Sequence, residues 1–118
     1  MKIPFVDLNA QYNSIKNEID TAIANVISDS AFIGGKYVQQ FEKEFAEYIG
    51  IKYCVGCANG TDAIEIVLKA LNIERGDEVI VPAHSWFSTS EAVSAVGAKP
   101  VFVDTHPDYY TINVDKIE

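Results

Sequence analysis

The sequence predicts an α/β protein in which helices come first and alternating strand–helix units of a mostly parallel sheet follow. Apolar residues recur at helical spacing over the first fifty positions. Short, nearly continuous apolar runs then alternate with further helical stripes, and Gly or Pro residues separate them. Because 48% of the 118 residues are hydrophobic and 22% are charged, the composition excludes a disordered or fibrous chain.

Residues 1–50 are predicted to form an N-terminal helical segment. An apolar stripe predicts a helix over residues 11–28, and a loop over residues 32–35 interrupts the pattern. A second stripe over residues 38–49 predicts another helix, for which Gly50 is the natural C-cap.

Residues 51–118 are predicted to alternate between strands and helices. The expected elements are a strand over 53–57, a helix over 62–71, a strand over 78–82, a helix opened by a capping box at 88–91, and a strand over 101–104. The helix over 62–71 is apolar on most sides, so we expect it to be buried. Asn113 is predicted to cap a further helix that has barely begun, so we expect the chain to be truncated and the sheet to continue beyond Glu118.

Charge and hydropathy exclude two classes of partner. Nine basic residues, of which Arg75 is the one arginine, face seventeen acidic ones, which gives a net charge of −8. Nucleic-acid binding needs many Lys and Arg contacts, so we expect no nucleic acid. No apolar run approaches the roughly 20 residues that span a bilayer, and the first residues do not resemble a secretory signal. We therefore expect a cytoplasmic protein without a membrane segment.

The two cysteines form a C-x-x-C motif, Cys54 and Cys57, which invites a zinc or redox interpretation. A structural zinc site needs four ligands, and the sequence has no second C-x-x-C. On the predicted strand the two sulfur atoms would point to opposite faces. We therefore expect two small buried hydrophobic residues and no metal site.

The loop Asn59, Gly60 and Thr61 follows the first predicted strand and precedes a helix. Gly60 allows close approach of a ligand to the backbone, and the helix N-terminus favours an anion. The loop could hold one phosphate group, or it could be an ordinary turn with an N-cap, which we favour for this motif in isolation.

The second loop, residues 82–88, contains Trp86 and Phe87 directly after a strand. An indole at this position could stack on the flat ring of a cofactor. Alternatively, both aromatic side chains could pack against the end of the sheet. We expect one ring to point inward and the other to face a ligand. His84 could be a base, a phosphate contact or a core histidine, which we favour, and His106 is expected to be exposed.

Six segments along the chain resemble the DegT/StrS-type family of pyridoxal-phosphate-dependent sugar aminotransferases. They are IPFVDL (3–8), FIGG (32–35), FEKEFA (41–46), CANGTDA (57–63), GDEVIVP (76–82) and GAKPVFVD (97–104). The resemblance implies the N-terminal part of the large domain of a fold-type-I pyridoxal-phosphate-dependent transferase, with residues 51–118 as the first part of the cofactor-binding domain.

The resemblance also implies functions for individual residues. Gly60 and Thr61 match contacts to the cofactor phosphate, and Asn59 is a weaker candidate for the same contact. Trp86 matches the position whose ring stacks on the pyridine. Residues 33 and 34 (Ile33, Gly34) resemble a loop near the substrate entrance.

The implied reaction transfers an amino group, with glutamate as donor, to a keto group of a nucleotide-linked sugar in a homodimer. The family's cofactor-binding lysine falls after residue 118, so we expect this chain to supply no catalytic residue and to be inactive alone. A sugar dehydratase of the same fold, with histidine replacing that lysine, and a non-catalytic binding or interaction module remain alternatives.

Overall fold

The computed structural model describes residues 4–117, and the chain divides into two compact units, Met1–Gly56 and Cys57–Glu118. The first unit contains the helices α1 (Leu8–Ser14), α2 (Lys16–Ser28) and α3 (Lys36–Ile49). The second contains α4 (Gly60–Ala70), β1 (Glu78–Pro82), α5 (Ser88–Ala95), β2 (Lys99–Val103) and a 3-10 helix (Val114–Lys116). Within residues 4–117, no helix has the length and apolar character needed to cross a membrane.

The single helix predicted over residues 11–28 is wrong, because the helix breaks at Ile15 (φ −125°, ψ 16°) into α1 and α2. The hydroxyl of Ser14 donates to the carbonyl oxygen of Gln11 at 2.7 Å, an alternative to the regular helical pattern. α1 starts earlier than expected because Asp7 caps it, accepting the N–H of Ala10 at 2.8 Å.

The end of α3 is as predicted. Gly50 adopts the left-handed conformation (φ 77°), and its N–H donates to the carbonyl oxygen of Ala46 at 2.9 Å. A residue with a side chain would be strained at this φ, which explains why the helix ends at a glycine.

The strand predicted over residues 53–57 is wrong. The segment forms no strand within the described residues, where the only strands that pair over several residues are β1 and β2. Its backbone is held instead by a side chain, since the N–H of Gly56 donates to Oε1 of Glu42 at 2.7 Å. The expected burial of both cysteines is also wrong, because Cys57 is exposed and Cys54 is only partly buried. An apolar run predicts a strand, but a strand forms only beside a partner.

β1 and β2 pair in parallel from Glu78↔Lys99 to Pro82↔Val103, with α5 as the connection between them. This is the predicted strand–helix–strand unit. β2 begins at Lys99, two residues before the predicted start, and the Lys99 ammonium pairs with the Glu78 carboxylate at 2.6 Å.

The core of the second unit lies where α5 packs on the two strands. Its central buried cluster is Val81, Val93 and Ala98, and Ala92 of α5 and Val103 of β2 are also buried. α4 packs against α5 but has no buried residue, which contradicts the expected burial of this helix. Its outer face leaves Ile66 54% and Val67 56% exposed, because no described element of this unit covers it.

Two predicted helix starts differ in the structure. Phe87, not Ser88, is the N-cap of α5, and no side chain caps the helix, so the predicted capping box does not form. Ser90 instead donates its hydroxyl to the carbonyl oxygen of Phe87 at 3.1 Å. Asn113 does cap the last element, accepting the N–H of Asp115 at 3.1 Å, but that element is a 3-10 helix.

Candidate functional site

Asn59 is the N-cap of α4 and is extended in backbone (φ −164°). Its side-chain oxygen accepts the N–H of Asp62 at 3.0 Å, and its amide nitrogen donates to the Asp62 carboxylate at 3.1 Å. The turn-and-cap interpretation of this loop is therefore correct for Asn59, whose side chain is engaged within its own helix turn.

The cap leaves the first two backbone N–H groups of α4 for another acceptor. Gly60 and Thr61 lie in the first turn, where N–H groups have no intrahelical partner. A Cβ built on Gly60 would meet no atom within 4 Å, so the space beside this backbone is open. The positive end of the helix dipole lies at the same place.

An open groove of about 330 Å³ lies at the start of α4. It is lined by Gly60, Thr61, Ile64, Trp86, Ser88 and Thr89. Three of the four residues predicted to contact a cofactor therefore share one groove, and Asn59 borders it as the cap. Two hydroxyl residues of the first turn of α5, Ser88 and Thr89, add polar groups to the same groove.

The loop that carries Trp86 is held by hydrogen bonds at both ends. The N–H of Ala83 donates to the carbonyl oxygen of Val103 at 2.8 Å, and the N–H of Thr89 donates to that of Trp86 at 3.0 Å. Trp86 is 80% and Phe87 72% exposed, so the expectation that one ring points inward is wrong. The indole of Trp86 is accessible to a ligand in the groove.

The groove is lined by neutral groups. None of its six lining residues carries a formal charge, so an anion there would meet backbone N–H groups, hydroxyls and the helix dipole. The nearest acid along the chain is Asp62, whose carboxylate accepts from Asn59.

The histidines and cysteines form no metal centre in the described chain. Across residues 4–117 no group of three or more His, Cys, Asp or Glu side chains could hold a metal ion. His84 is exposed, so the core assignment is wrong. His106 is half-buried rather than exposed, because its ring stacks on Tyr109 with centroids 4.7 Å apart.

Ile33 and Gly34 lie in the loop between α2 and α3 of the first unit. Ile33 is 97% exposed, and Gly34 has a positive φ of 59°. Asp29 closes the loop by accepting from Lys36 and from the hydroxyl of Tyr37, each at 2.6 Å. Hydrogen bonds from Lys36 and Tyr37 hold the pKa of Asp29 below its ordinary value, and the same carboxylate raises the pKa of Lys36.

Ser88 and Thr89 are the groove residues that sequence reasoning missed. The capping-box pattern assigned both residues to helix initiation, and Ser88, although the last residue of the loop 82–88, was given no contact to a ligand. Their position in the first turn of a helix that follows a parallel strand is the signal that could have found them, since ligands of α/β proteins bind at the carboxyl ends of strands.

The sequence profile of the DegT/DnrJ/EryC1/StrS aminotransferase family matches residues 13–118. The chain belongs to this family. It is 43% identical over 116 residues to the UDP-2-acetamido-2-deoxy-3-oxo-D-glucuronate aminotransferase of Pseudomonas aeruginosa, covering 98% of this chain and 32% of the relative. It is 45% identical to the UDP-N-acetyl-3-dehydro-alpha-D-glucosamine 3-aminotransferase of Acidithiobacillus ferrooxidans, covering 98% and 31%. The chain thus spans about a third of the length of these relatives.

Solved structures of family members have the same fold. A DegT/DnrJ/EryC1/StrS aminotransferase from Brucella abortus superposes with a TM-score of 0.92 at 42% identity, over 97% of this chain and 31% of that one. NtdA from Bacillus subtilis, solved with bound cofactor PMP, gives a TM-score of 0.90 at 38% identity over 98% and 27%. These comparisons confirm the predicted family and fold class.

The family's cofactor class fits the groove on local chemistry. Pyridoxal phosphate has one phosphate group and one flat aromatic ring. The open space beside Gly60 and the free N–H groups suit the phosphate, and the exposed indole of Trp86 suits the ring.

Proposed function

We propose that the protein containing this chain is a pyridoxal-phosphate-dependent aminotransferase that moves an amino group from glutamate to a keto group of a nucleotide-linked sugar. One observation carries the proposal: Gly60, Thr61 and Trp86, from the first turn of α4 and from the loop after β1, line one groove. Membership of the aminotransferase family supports it. The protein acts in the cytoplasm as a homodimer under this proposal.

Under this proposal, the residues of this chain bind and orient the cofactor. The backbone N–H groups of Gly60 and Thr61, with the Thr61 hydroxyl, hold the cofactor phosphate at the start of α4. The indole of Trp86 would offer a flat apolar face on which the cofactor ring can stack. When bound, pyridoxal phosphate supplies an electron sink for the transfer of the amino group. Under this proposal, the cofactor-binding lysine that the family resemblance implies would lie outside these 118 residues.

The names of three relatives support a substrate class for this proposal. The P. aeruginosa and A. ferrooxidans enzymes are named for 3-oxo and 3-dehydro sugars, and a Streptomyces venezuelae relative, 42% identical over 112 residues, is named dTDP-3-amino-3,4,6-trideoxy-alpha-D-glucose transaminase. We therefore assign a 3-keto sugar linked to a nucleoside diphosphate as the acceptor. Ile33 and Gly34, in their exposed loop, border the substrate entrance under this proposal.

A dehydratase is the second candidate. The chain is 34% identical to the E. coli GDP-4-keto-6-deoxy-D-mannose-3-dehydratase, with a TM-score of 0.75 over 80% of this chain and 26% of that one. The aminotransferase from B. abortus matches more closely, at a TM-score of 0.92 over 97% of the chain. The aminotransferase is therefore the first choice.

The test incubates the full-length protein with pyridoxal phosphate, glutamate and a panel of UDP- and dTDP-linked 3-keto and 4-keto sugars. We expect 2-oxoglutarate and amino sugar to form in equal amounts with a 3-keto sugar. Loss of a hydroxyl group from a 4-keto sugar without net amino transfer would identify the dehydratase instead. Failure to bind pyridoxal phosphate at all would indicate a non-catalytic binding module.

A further inference from the structure

We propose that the hydroxyls of Ser85 and Thr89 form a clasp that positions Trp86 for the ligand in the groove. Their oxygen atoms are 2.9 Å apart, and Trp86 lies between them along the chain. The inference rests on the proposed function, since it assigns the clasp to the cofactor groove. It makes Ser85 and Thr89 positioning residues that act through Trp86.

Thr89 forms two hydrogen bonds to the loop, one through its side chain and one through its backbone. Its side-chain oxygen bonds to that of Ser85, and its backbone N–H donates to the carbonyl oxygen of Trp86 at 3.0 Å. The two bonds close a five-residue loop across the start of α5. The backbone bond forms as α5 begins, whereas the hydroxyl bond depends on the identity of two side chains.

Trp86 needs such a restraint because little else holds its side chain. The indole is 80% exposed, and none of the aromatic pairs in the described part of the chain includes it. An exposed side chain on a loop samples several rotamers, and ordering it on ligand binding costs affinity. A loop that is already closed reduces that cost.

Replacement of Ser85 can remove the hydroxyl bond of the clasp without changing a residue that lines the groove. Thr89 lines the groove, so its replacement changes the clasp and the groove together. Ser85 is exposed and is not among the lining residues, so Ser85→Ala removes one hydroxyl of the clasp and leaves the lining intact. Ser94→Ala is the matched control, because Ser94 is an exposed serine of α5 whose hydroxyl bonds only the carbonyl oxygen of Ser90, at 3.1 Å.

The experiment measures the dissociation constant of pyridoxal phosphate for the full-length protein from its visible absorbance band. Quenching of Trp86 fluorescence, isolated by subtraction of the Trp86→Phe signal, is recorded in parallel. We expect Ser85→Ala and Thr89→Val to weaken binding roughly three- to tenfold, as for loss of one hydrogen bond. Thr89→Ser, which keeps the hydroxyl, should bind pyridoxal phosphate more tightly than Thr89→Val does. Ser94→Ala, outside the groove lining, should bind it as the wild type does.

A double-mutant cycle tests whether the clasp acts through the indole. Ser85→Ala should cause no further loss of affinity in a Trp86→Ala background. The proposal would be overturned if Ser85→Ala lowered the affinity equally in both backgrounds or left it at the wild-type value. It would also be overturned if Thr89→Ser bound pyridoxal phosphate as weakly as Thr89→Val does. If Trp86→Ala itself leaves the affinity unchanged, the proposed cofactor site fails as well, which distinguishes the two failures.

Discussion

The side-chain oxygen of Asn59 lies 3.0 Å from the backbone nitrogen of Asp62 and accepts its N–H. This one bond divides the first turn of α4 into two parts. The N–H of Asp62 is satisfied within the helix, and those of Gly60 and Thr61 remain for a ligand. The cap therefore leaves the first two N–H groups of α4 without an acceptor in the helix, while the side chain of Asn59 is engaged with Asp62.

Replacement of Asn59 tests how much its cap stabilises α4. We expect Asn59→Ala to lower the free energy of unfolding by about 1 kcal/mol, since alanine supplies no cap, whereas Asn59→Ser keeps a capping oxygen and loses little. Chemical denaturation of the full-length apoprotein measures this difference. Equal stability of the two variants would show that the Asn59–Asp62 bond does not stabilise α4.

Glu42 should protect the segment that leads to α4. The N–H of Gly56 donates to its carboxylate at 2.7 Å, and Glu42 is half-buried. In Glu42→Ala we expect the Gly56 amide to exchange with solvent at least tenfold faster, because its acceptor is lost. Hydrogen exchange read by mass spectrometry or NMR measures the rate.

Glu44→Ala is the control for that experiment. Glu44 lies on the same helix, and its carboxylate accepts instead from the side chain of Gln40 at 2.7 Å. Exchange at Gly56 should stay as in the wild type. Equal exchange in the Glu42 and Glu44 variants would contradict the anchoring role of Glu42.

Asp29, Lys36 and Tyr37 form a hydrogen-bonded group, the Asp29 cluster. This cluster should make the stability of the protein depend on pH in the acidic range. Hydrogen bonds from Lys36 and Tyr37 lower the pKa of Asp29 from 3.8, so the stabilisation is complete above that pH and is lost as the pH falls through the lower, folded-state pKa. Asp29→Asn should lower the thermal midpoint at pH 7, and the difference from the wild type should shrink as the pH falls below 3.8.

Glu47→Gln serves as the matched variant for the Asp29 cluster. It removes the exposed ion pair between Glu47 and Lys43, whose charged atoms are 3.9 Å apart. The corresponding distance between Asp29 and Lys36 is 2.6 Å. We expect a smaller change at pH 7 than for Asp29→Asn. A midpoint difference for Asp29→Asn that persists undiminished at low pH would exclude the charge as its cause.

Local signals made much of the fold predictable. The end of α3 was predictable because a positive φ at Gly50 requires a residue type that the sequence shows directly. β1 was predictable because a short apolar run lies between a turn and a proline. The family resemblance added the cofactor class, and the chemistry of Gly60 and Trp86 follows from single residues.

Features that depend on neighbours were not predictable. The apolar stripe continues through Ile15, so its period gives no sign of the break between α1 and α2. Residues 53–57 have strand composition, but strand formation depends on a partner. The clasp of Ser85 and Thr89 joins residues that sequence patterns assign to a loop and to a helix start.

The exposed apolar surface predicts the behaviour of residues 1–118 made as a separate polypeptide. Large hydrophobic side chains stay open to solvent in both units, among them Phe41 at 54% and Val67 at 56%. We expect this polypeptide to self-associate and to show no aminotransferase activity. A monomer in sedimentation velocity, with one cooperative thermal transition, would contradict this.

Under the proposed function, the first turn of α4 holds the phosphate of pyridoxal phosphate. The most direct test of this contact compares pyridoxal phosphate with pyridoxal, which lacks the phosphate, on the full-length protein carrying Thr61→Val, with Ser94→Ala as control. We expect Thr61→Val to weaken the binding of pyridoxal phosphate about tenfold or more and to leave the binding of pyridoxal unchanged. Equal weakening of both ligands, or of neither, would contradict it.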